Sequence, residues 1–483
     1  MNKFLIGIII SLFSIFWIGC NTVNIQEDAH KIHPINRGLD SIKSAGTLKA
    51  LINYSATSYF LYKGNPMGFE YELLKKYSAH IGVELEVIPI KNMDSVFVDL
   101  NSGVGDVAAA NFTVTQERLQ KVDFTRPVMV TQQVLIQRKP ENWKRLSKKN
   151  IKDSLLQESY DLIGETVVVR KGSSFYSRLK SLSNEVGGKI KVKTVEGDIS
   201  MEQLIGYVAN GKIDYTIADK NIAKVSQWRY PNIDIKMPIS LNQRIAWGTR
   251  NNADSLTASI NNWLAEYQKT RSFKILYRKY FSSQQSYNKR INHEYYTLTS
   301  GQISPYDSLF KKYAPTINWD WELLASMVYQ ESHFNNKARG WGGSFGLMQF
   351  MPQTGANFGV DSNSVPEANV AAGVKYLKKL DYIWLDHIED SLERTKFVLA
   401  SYNVGPGHVI DAKNLAIKYN KNPKLWKDVG YFLLHKSEPK YYKDEVVKHG
   451  YCKGYIVYDY VNEIMERYQH YQQTTEEQSL ADK

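Results

Sequence analysis

Leu48-Lys-Ala-Leu-Ile-Asn53, an amphipathic stretch from Glu70 to His80, and Leu85-Glu-Val-Ile-Pro-Ile90 follow one another early in the chain and decide its class. The first and third are short apolar runs read as strands, and the second has helical periodicity, so the unit is strand, helix, strand. Asp106-Val-Ala-Ala-Ala110 and Gln133-Val-Leu-Ile-Gln137 read as further strands. A second series follows in Thr166-Val-Val-Val-Arg170, Lys189 to Val195 and Asp214-Tyr-Thr-Ile-Ala218. The chain then returns through Ile245-Ala-Trp-Gly248 to a helix-like stretch from Ser255 to Tyr280. Two α/β lobes with a crossing back to the first imply a cleft in which strand ends and helix N-termini converge on a ligand.

The whole chain has 483 residues, about three folding units at roughly 150 residues each. Hydrophobic residues at 43% and charged residues at 23% exclude both a disordered chain and a polytopic membrane protein. A net charge of +12 favours an anionic partner. The two cysteines, Cys20 and Cys452, form neither a zinc cluster nor a disulfide framework. Lys3, the apolar run from Phe4 to Ile18 and then Gly19-Cys20 resemble a bacterial lipoprotein signal, with Trp17 where such signals usually carry Leu. That resemblance implies cleavage before Cys20 and its lipidation; an uncleaved hydrophobic anchor is the alternative. Asn21 after the cysteine suggests, by the enterobacterial sorting pattern, the periplasmic face of an outer membrane. Cys452 is expected as a buried small hydrophobe. The expected divisions are signal 1–19, lipidated cysteine and tether 20–45, α/β domain 46–281, linker 282–300, helical domain 301–472 and polar tail 473–483.

Within the α/β domain, Gly68-Phe-Glu-Tyr-Glu-Leu73, Gly105-Asp106, Thr113-Val-Thr-Gln-Glu-Arg118 and Val122-Asp-Phe-Thr-Arg-Pro127 resemble the family 3 extracellular solute-binding proteins in order and spacing. The resemblance implies a two-lobed, periplasmic-binding-protein-like fold, with Arg118 on a ligand carboxylate, Asp219 on its amino group, and Thr113 and Ser173 in the same site. Thr115 is a candidate N-cap, placing Arg118 in a first helical turn where its charge opposes the dipole unless an anion lies beside it. A surface ion pair with Glu117 is the alternative for Arg118, and a cap or strand-end role is the alternative for Asp219. Gly172-Ser173-Ser174, before an apparent helix, offers hydroxyls and backbone N–H groups to the same anion.

The third unit reads as helical. Asn318 is a candidate cap for a helix carrying Asp320, Glu322, Leu323, Leu324, Met327 and Val328. Glu331 lies four residues after Met327 and three after Val328, on the apolar face, and near the helix C-terminus, where the dipole disfavours a carboxylate. Both effects raise its pKa, as general-acid chemistry near neutrality requires. By itself the residue could equally be a glutamate snorkelling from a helix end or paired with Lys337 or Arg339. Glu331-Ser332, Ser344-Phe-Gly-Leu-Met-Gln349, Pro352-Gln-Thr-Gly355 and Ala400-Ser-Tyr-Asn403 resemble the lytic transglycosylases of the soluble-transglycosylase type. That resemblance implies an all-α lysozyme-like domain with Glu331 as acid/base. It also implies substrate contacts from Ser332, Ser344, Gly346, Leu347, Met348, Gln349, Tyr402, Asn403 and Tyr458. Ile456, in the closing segment, stands where the family carries glutamate.

Between Ser332 and Val360 there is no Asp or Glu. Glycosidases usually place two carboxylates about the scissile bond. One Glu suffices if it protonates the leaving oxygen and then, ionised, takes a proton from the same sugar's C6 hydroxyl, a tethered nucleophile of high effective molarity. The resembled family does this at the MurNAc-GlcNAc β-1,4 bond of peptidoglycan, leaving 1,6-anhydromuramoyl ends. Gly340 to Gly346 has the wrong glycine spacing for a dinucleotide loop and is read as groove backbone. His333, His387 and His408 show no ligand spacing, so no metal or other cofactor is expected, and nothing resembles a nucleic-acid motif. The expected partners are peptidoglycan strands, an amino acid or muropeptide in the α/β cleft, and a membrane through the lipid anchor. A solute receptor with an inert helical domain, and a hydrolytic lysozyme, remain as other readings.

Overall fold

The computed structural model describes residues 35–90, 92–293 and 295–481. The signal 1–19, Trp17, Cys20 and Asn21 lie outside the described residues, as do the first part of the tether and the last two residues of the tail.

In chain order the first half forms β1 (Thr47–Ile52), α1 (Phe69–Ile81), β2 (Glu84–Pro89), β3 (Val107–Thr113), β4 (Met129–Arg138) and β5 (Thr166–Arg170). It continues through α2 (Ser174–Glu185), β6 (Lys191–Val195), α3 (Met201–Ala209), β7 (Tyr215–Asp219), α4 (Lys220–Arg229) and β8 (Pro238–Thr249). The strands join in the order β2-β1-β3-β8-β4-β7-β5-β6. Pairing is parallel within each lobe, as in β1 with β2 and β3, and β5 with β6 and β7. The long strands β4 and β8 pair antiparallel with each other and carry the chain from one lobe to the other and back. β1 and β3 are almost wholly buried, as expected of strands covered on both faces. Glu70, in the Gly-Phe-Glu-Tyr motif, is buried on α1 and accepts a hydrogen bond of 2.6 Å from Trp247 Nε1 on β8, tying helix to sheet.

The stretch read as a linker contains two short helices, Gln284–Ile291 and Thr297–Ser300, with Tyr287, Arg290 and Tyr296 buried. Beyond it the chain is helical. The main elements are α5 (Trp321–Ser332), α6 (Pro366–Leu385), α7 (Ser391–Val404), α8 (Pro406–Lys418), α9 (Trp426–Leu434) and α10 (Gly454–Ala481). They enclose an apolar core drawn from Ile303 to Tyr471, which includes Cys452 and takes in Leu61 of the α/β half. No described helix is long and apolar enough to cross a membrane.

Two expectations require correction. Asn318 does not cap α5: it ends the preceding turn with φ 56°, and Asp320 is the N-cap residue. The Asp320 carboxylate in turn accepts hydrogen bonds from Tyr468 and Gln472 of α10 rather than from its own helix. Residues 473–481, polar in composition, are not a tail but the last turns of α10. They stay helical because Thr474 is buried, Gln473 donates to the Val87 carbonyl at 2.8 Å, and Thr475 donates to Glu322 at 2.8 Å.

Candidate active site and solute-binding cleft

α5 ends one residue after Glu331, where His333 turns to φ 51°. The side chain is thereby held at the helix end but against the core. Tyr460 of α10 donates a hydrogen bond of 2.5 Å to Glu331 Oε1. Burial pushes the Glu331 carboxyl up to about 7, while the Tyr460 hydrogen bond pulls the other way. Neither Lys337 nor Arg339 pairs with it, and the Arg339 guanidinium donates instead to the carbonyls of Ala338 and Ser362. Among the described residues no second carboxylate acts on Glu331; its charge acts instead on the phenols of Tyr402 and Tyr460, both pushed up chiefly by burial.

The turn from Ser344 to Gln349 is tied to Tyr402, the phenol on which the Glu331 charge acts. Gly346 has φ 80°, and a Cβ there would come within 2.3 Å of Asn369 Nδ2. Only glycine fits both the conformation and the space. Asn369 Oδ1 accepts from the Met348 N–H at 2.9 Å, and the Met348 carbonyl accepts from the Tyr402 hydroxyl at 2.7 Å. Gln349 Oε1 accepts from Ser344 Oγ at 2.7 Å, and its Nε2 donates to the Gly346 carbonyl at 2.8 Å. The Leu347 and Met348 side chains are fully buried, so this turn offers its backbone rather than those side chains. Ser332 Oγ bonds back to the Val328 carbonyl, Asn403 is exposed on α7, and Tyr458 stacks on Trp426 with ring centroids 6.3 Å apart.

The lobes meet in a cleft lined by Thr113, Arg118, Ser173 and Asp219, enclosing about 50 Å³. Thr115 caps the short helix Gln116–Leu119 by accepting from the Arg118 N–H. Arg118 Nη1 donates to the Thr113 carbonyl at 2.9 Å, and its guanidinium packs over Phe112 at 5.3 Å. Glu117 instead faces Lys121 at 3.5 Å, so the Arg118–Glu117 surface pair is not formed. Burial and the neighbouring Arg170 bring Arg118 down to about 10. Asp219 occupies the N-cap position of α4 without a capping bond; Asn111 Nδ2 donates to its Oδ2 at 2.6 Å, and its Oδ1 is buried with no partner. Burial raises Asp219 to about 7. Ser173 Oγ donates to the Arg170 carbonyl at 2.7 Å, whereas Ser174 Oγ crosses the cleft to Thr113 Oγ1 at 3.3 Å.

Residues 52–283 match the family model for bacterial extracellular solute-binding proteins, family 3, and residues 308–425 match the transglycosylase SLT domain. The chain is similar to membrane-bound lytic murein transglycosylase F of Desulfosudis oleivorans, 33% identical over 436 residues covering 89% of this chain and 91% of that one. The chain belongs to the membrane-bound lytic murein transglycosylase F family. The relative of the same description from Saccharophagus degradans is 31% identical over 429 residues, 88% of this chain and 82% of that one. Among solved structures, the ancestral amino acid-binding protein AncCDT-1, a precursor of cyclohexadienyl dehydratase, is 24% identical, covering 50% of this chain and 99% of that one with a TM-score of 0.41.

In this transglycosylase F family member, sequence reasoning missed Tyr460 as the residue on the acid. Tyr458, expected as a substrate contact, lies two residues before it on the same helix. Residues two apart on a helix lie about 200° apart around its axis, so only one of the pair can face Glu331. Which one does so depends on how α10 packs against α5, fixed here by Ser326 Oγ donating to the Ile464 carbonyl at 2.7 Å. Arg170 and Glu202 were also missed as lining residues of the solute cleft. Arg170 ends a strand already recognised, at the sheet edge where Asp219 ends its own, and that shared position was the available signal.

Proposed function

We propose that Glu331 is the single acid/base of a lytic transglycosylase acting on peptidoglycan at the MurNAc-GlcNAc β-1,4 bond. The observation carrying this reading is a half-buried carboxyl raised to about 7, hydrogen-bonded by Tyr460, with no carboxylate partner among the described residues. Protonated near neutrality, it gives its proton to the departing glycosidic oxygen. The resulting carboxylate accepts the proton of the C6 hydroxyl as that oxygen attacks C1, closing the 1,6-anhydro ring without water. A buried carboxyl that must cycle between both forms is well matched to a value near 7. The backbone of Gly346 to Gln349 and the exposed Asn403 line the sugar groove in this reading, with Ser332, Ser344, Tyr402 and Tyr458 supporting it.

The α/β half takes an amino-acid-like zwitterion between Arg118 and Asp219, with Thr113 and Ser173 beside it, and lobe closure adjusts the catalytic half. Cys20 carries the lipid that holds the protein in the cell envelope, at the periplasmic face of an outer membrane. We assign 46–281 to the solute-binding domain and 301–472 to the catalytic domain, joined by 282–300. Glu331→Gln tests the chemistry. Folding and sedimentation with insoluble peptidoglycan should persist while turnover falls by about 10²–10⁴-fold, the usual worth of general acid–base catalysis. Near-normal turnover would remove Glu331 from the mechanism.

A further inference from the structure

Arg170 is the last residue of β5, and its guanidinium lines the solute-binding cleft. Its Nε is buried without a partner, and among the described residues the side chain forms no hydrogen bond or ion pair. Arg250 and Arg290 also leave Nε unpaired, but each guanidinium is supported in another way. Arg250 donates to Asp106 and to the carbonyls of Leu100, Gly105 and Arg37. Arg290 lies over the rings of Phe60 and Tyr280, at 5.7 and 5.2 Å. Arg170 has neither kind of support, and a half-buried guanidinium whose Nε donor is unmet is unfavourable unless a ligand meets it.

The charge pattern points the same way. Arg118 and Arg170 repel one another across the cleft, which contributes to the lowering of Arg118. Glu202, Asp94 and Asp219 favour the charged form of Arg170 through space but form no ion pair with it. The cleft acids Glu202 and Asp219 are both pushed towards their neutral forms by burial. One carboxylate on Arg118 and one ammonium on Asp219 leave Arg170 unmatched.

We propose that Arg170 forms a second carboxylate subsite, so that this cleft takes an amino acid whose side chain carries its own carboxylate. This rests on the reading of the cleft as an amino-acid site and deepens it. The α-carboxylate meets Arg118, the α-ammonium meets Asp219 and Asn111, and the side-chain carboxylate meets the Arg170 fork, which suits it bidentately. Cleft closure supplies the second anion site because Arg118 belongs to one lobe and Arg170 to the other.

The test is isothermal titration of the chain with L-glutamate, L-glutamine and L-lysine, and with the shorter pair L-aspartate and L-asparagine. Wild type should bind one of the acids at least about tenfold more tightly than its amide, because the amide leaves the guanidinium incompletely paired. Arg170→Gln should bring acid and amide within about threefold while leaving amide affinity near that of wild type. Arg170→Lys, which keeps the charge without the fork, should fall between. Unliganded melting curves for both variants identify any loss caused by misfolding. Equal affinity for acid and amide in wild type, a preference for lysine, or a variant that stays folded and loses both ligands equally would overturn the subsite and leave the cleft reading standing. If none of the five amino acids binds wild type, the cleft reading falls and the subsite with it.

Discussion

Glu331 must be protonated to act and ionised to finish, so the balance of forces on one oxygen pair decides the working pH. Burial raises its pKa to about 7 and Tyr460 lowers it. Activity should therefore decline as pH rises through about 7, where the acid form is lost. Tyr460→Phe removes a hydroxyl that favours the carboxylate, so the carboxyl should titrate higher. A hydrogen bond to a charged group is worth about 1.5–3 kcal/mol, and one pKa unit about 1.4 kcal/mol, so the alkaline limb should move up by about one to two units. A limb that stays in place, or moves to lower pH, would mean Tyr460 does not tune the acid. The position of Glu331 on an apolar face was legible from spacing to Met327 and Val328, because helical periodicity is a local property. Its contact with Tyr460 was not, because 129 residues separate them and only helix packing sets the phase.

At the scale of elements, the turn from Ser344 to Gln349 works as a clamp. Asn369 of α6 holds the Met348 N–H, Tyr402 of α7 holds the Met348 carbonyl, and Gly346 leaves room for the asparagine. Gly346→Ala places a methyl within 2.3 Å of Asn369 Nδ2 at a backbone angle that L residues disfavour. The expected cost is about 1–3 kcal/mol in chemical denaturation, accompanied by a larger proportional loss of lytic rate than of wall binding. Wild-type stability in that variant would show that the turn has slack. The main strands of the α/β half were readable, and Thr166–Arg170 has the bounds that composition suggested, but the short strands Phe60–Tyr62, Asn65–Met67, Asp123–Phe124 and Ile233–Asp234 were not. Ends were less legible. The last turns of α10 read as a tail because Gln473, Thr474 and Thr475 are polar, yet Gln473 bonds to Val87 and Thr475 to Glu322. Asn318 misled for a similar reason: asparagine suits both an N-cap and a left-handed turn, and the chain uses it for the latter.

At the scale of the whole molecule, α10 is the element shared by both halves. Tyr460 near its start touches Glu331, and ten residues later His470 shares a buried hydrogen bond of 2.6 Å with Tyr59 of the solute-binding half. Tyr471 donates to the Gly64 carbonyl at 2.9 Å, and Lys75 pairs with Glu466 at 3.1 Å. Tyr59 directly follows Ser58, which lines the solute cleft, so cleft and acid are joined by packed side chains and one helix. Burial lowers the pKa of His470. Nothing in the local sequence of α10 announces this contact, which pairs residues 411 positions apart. The central claim, one carboxyl and no activated water, is tested most directly by digesting peptidoglycan with the wild-type protein in H₂¹⁸O and weighing the new glycan ends. Attack by the C6 hydroxyl predicts 1,6-anhydro products carrying no ¹⁸O. Reducing ends that carry ¹⁸O, formed as fast as the strands are cut, would contradict it.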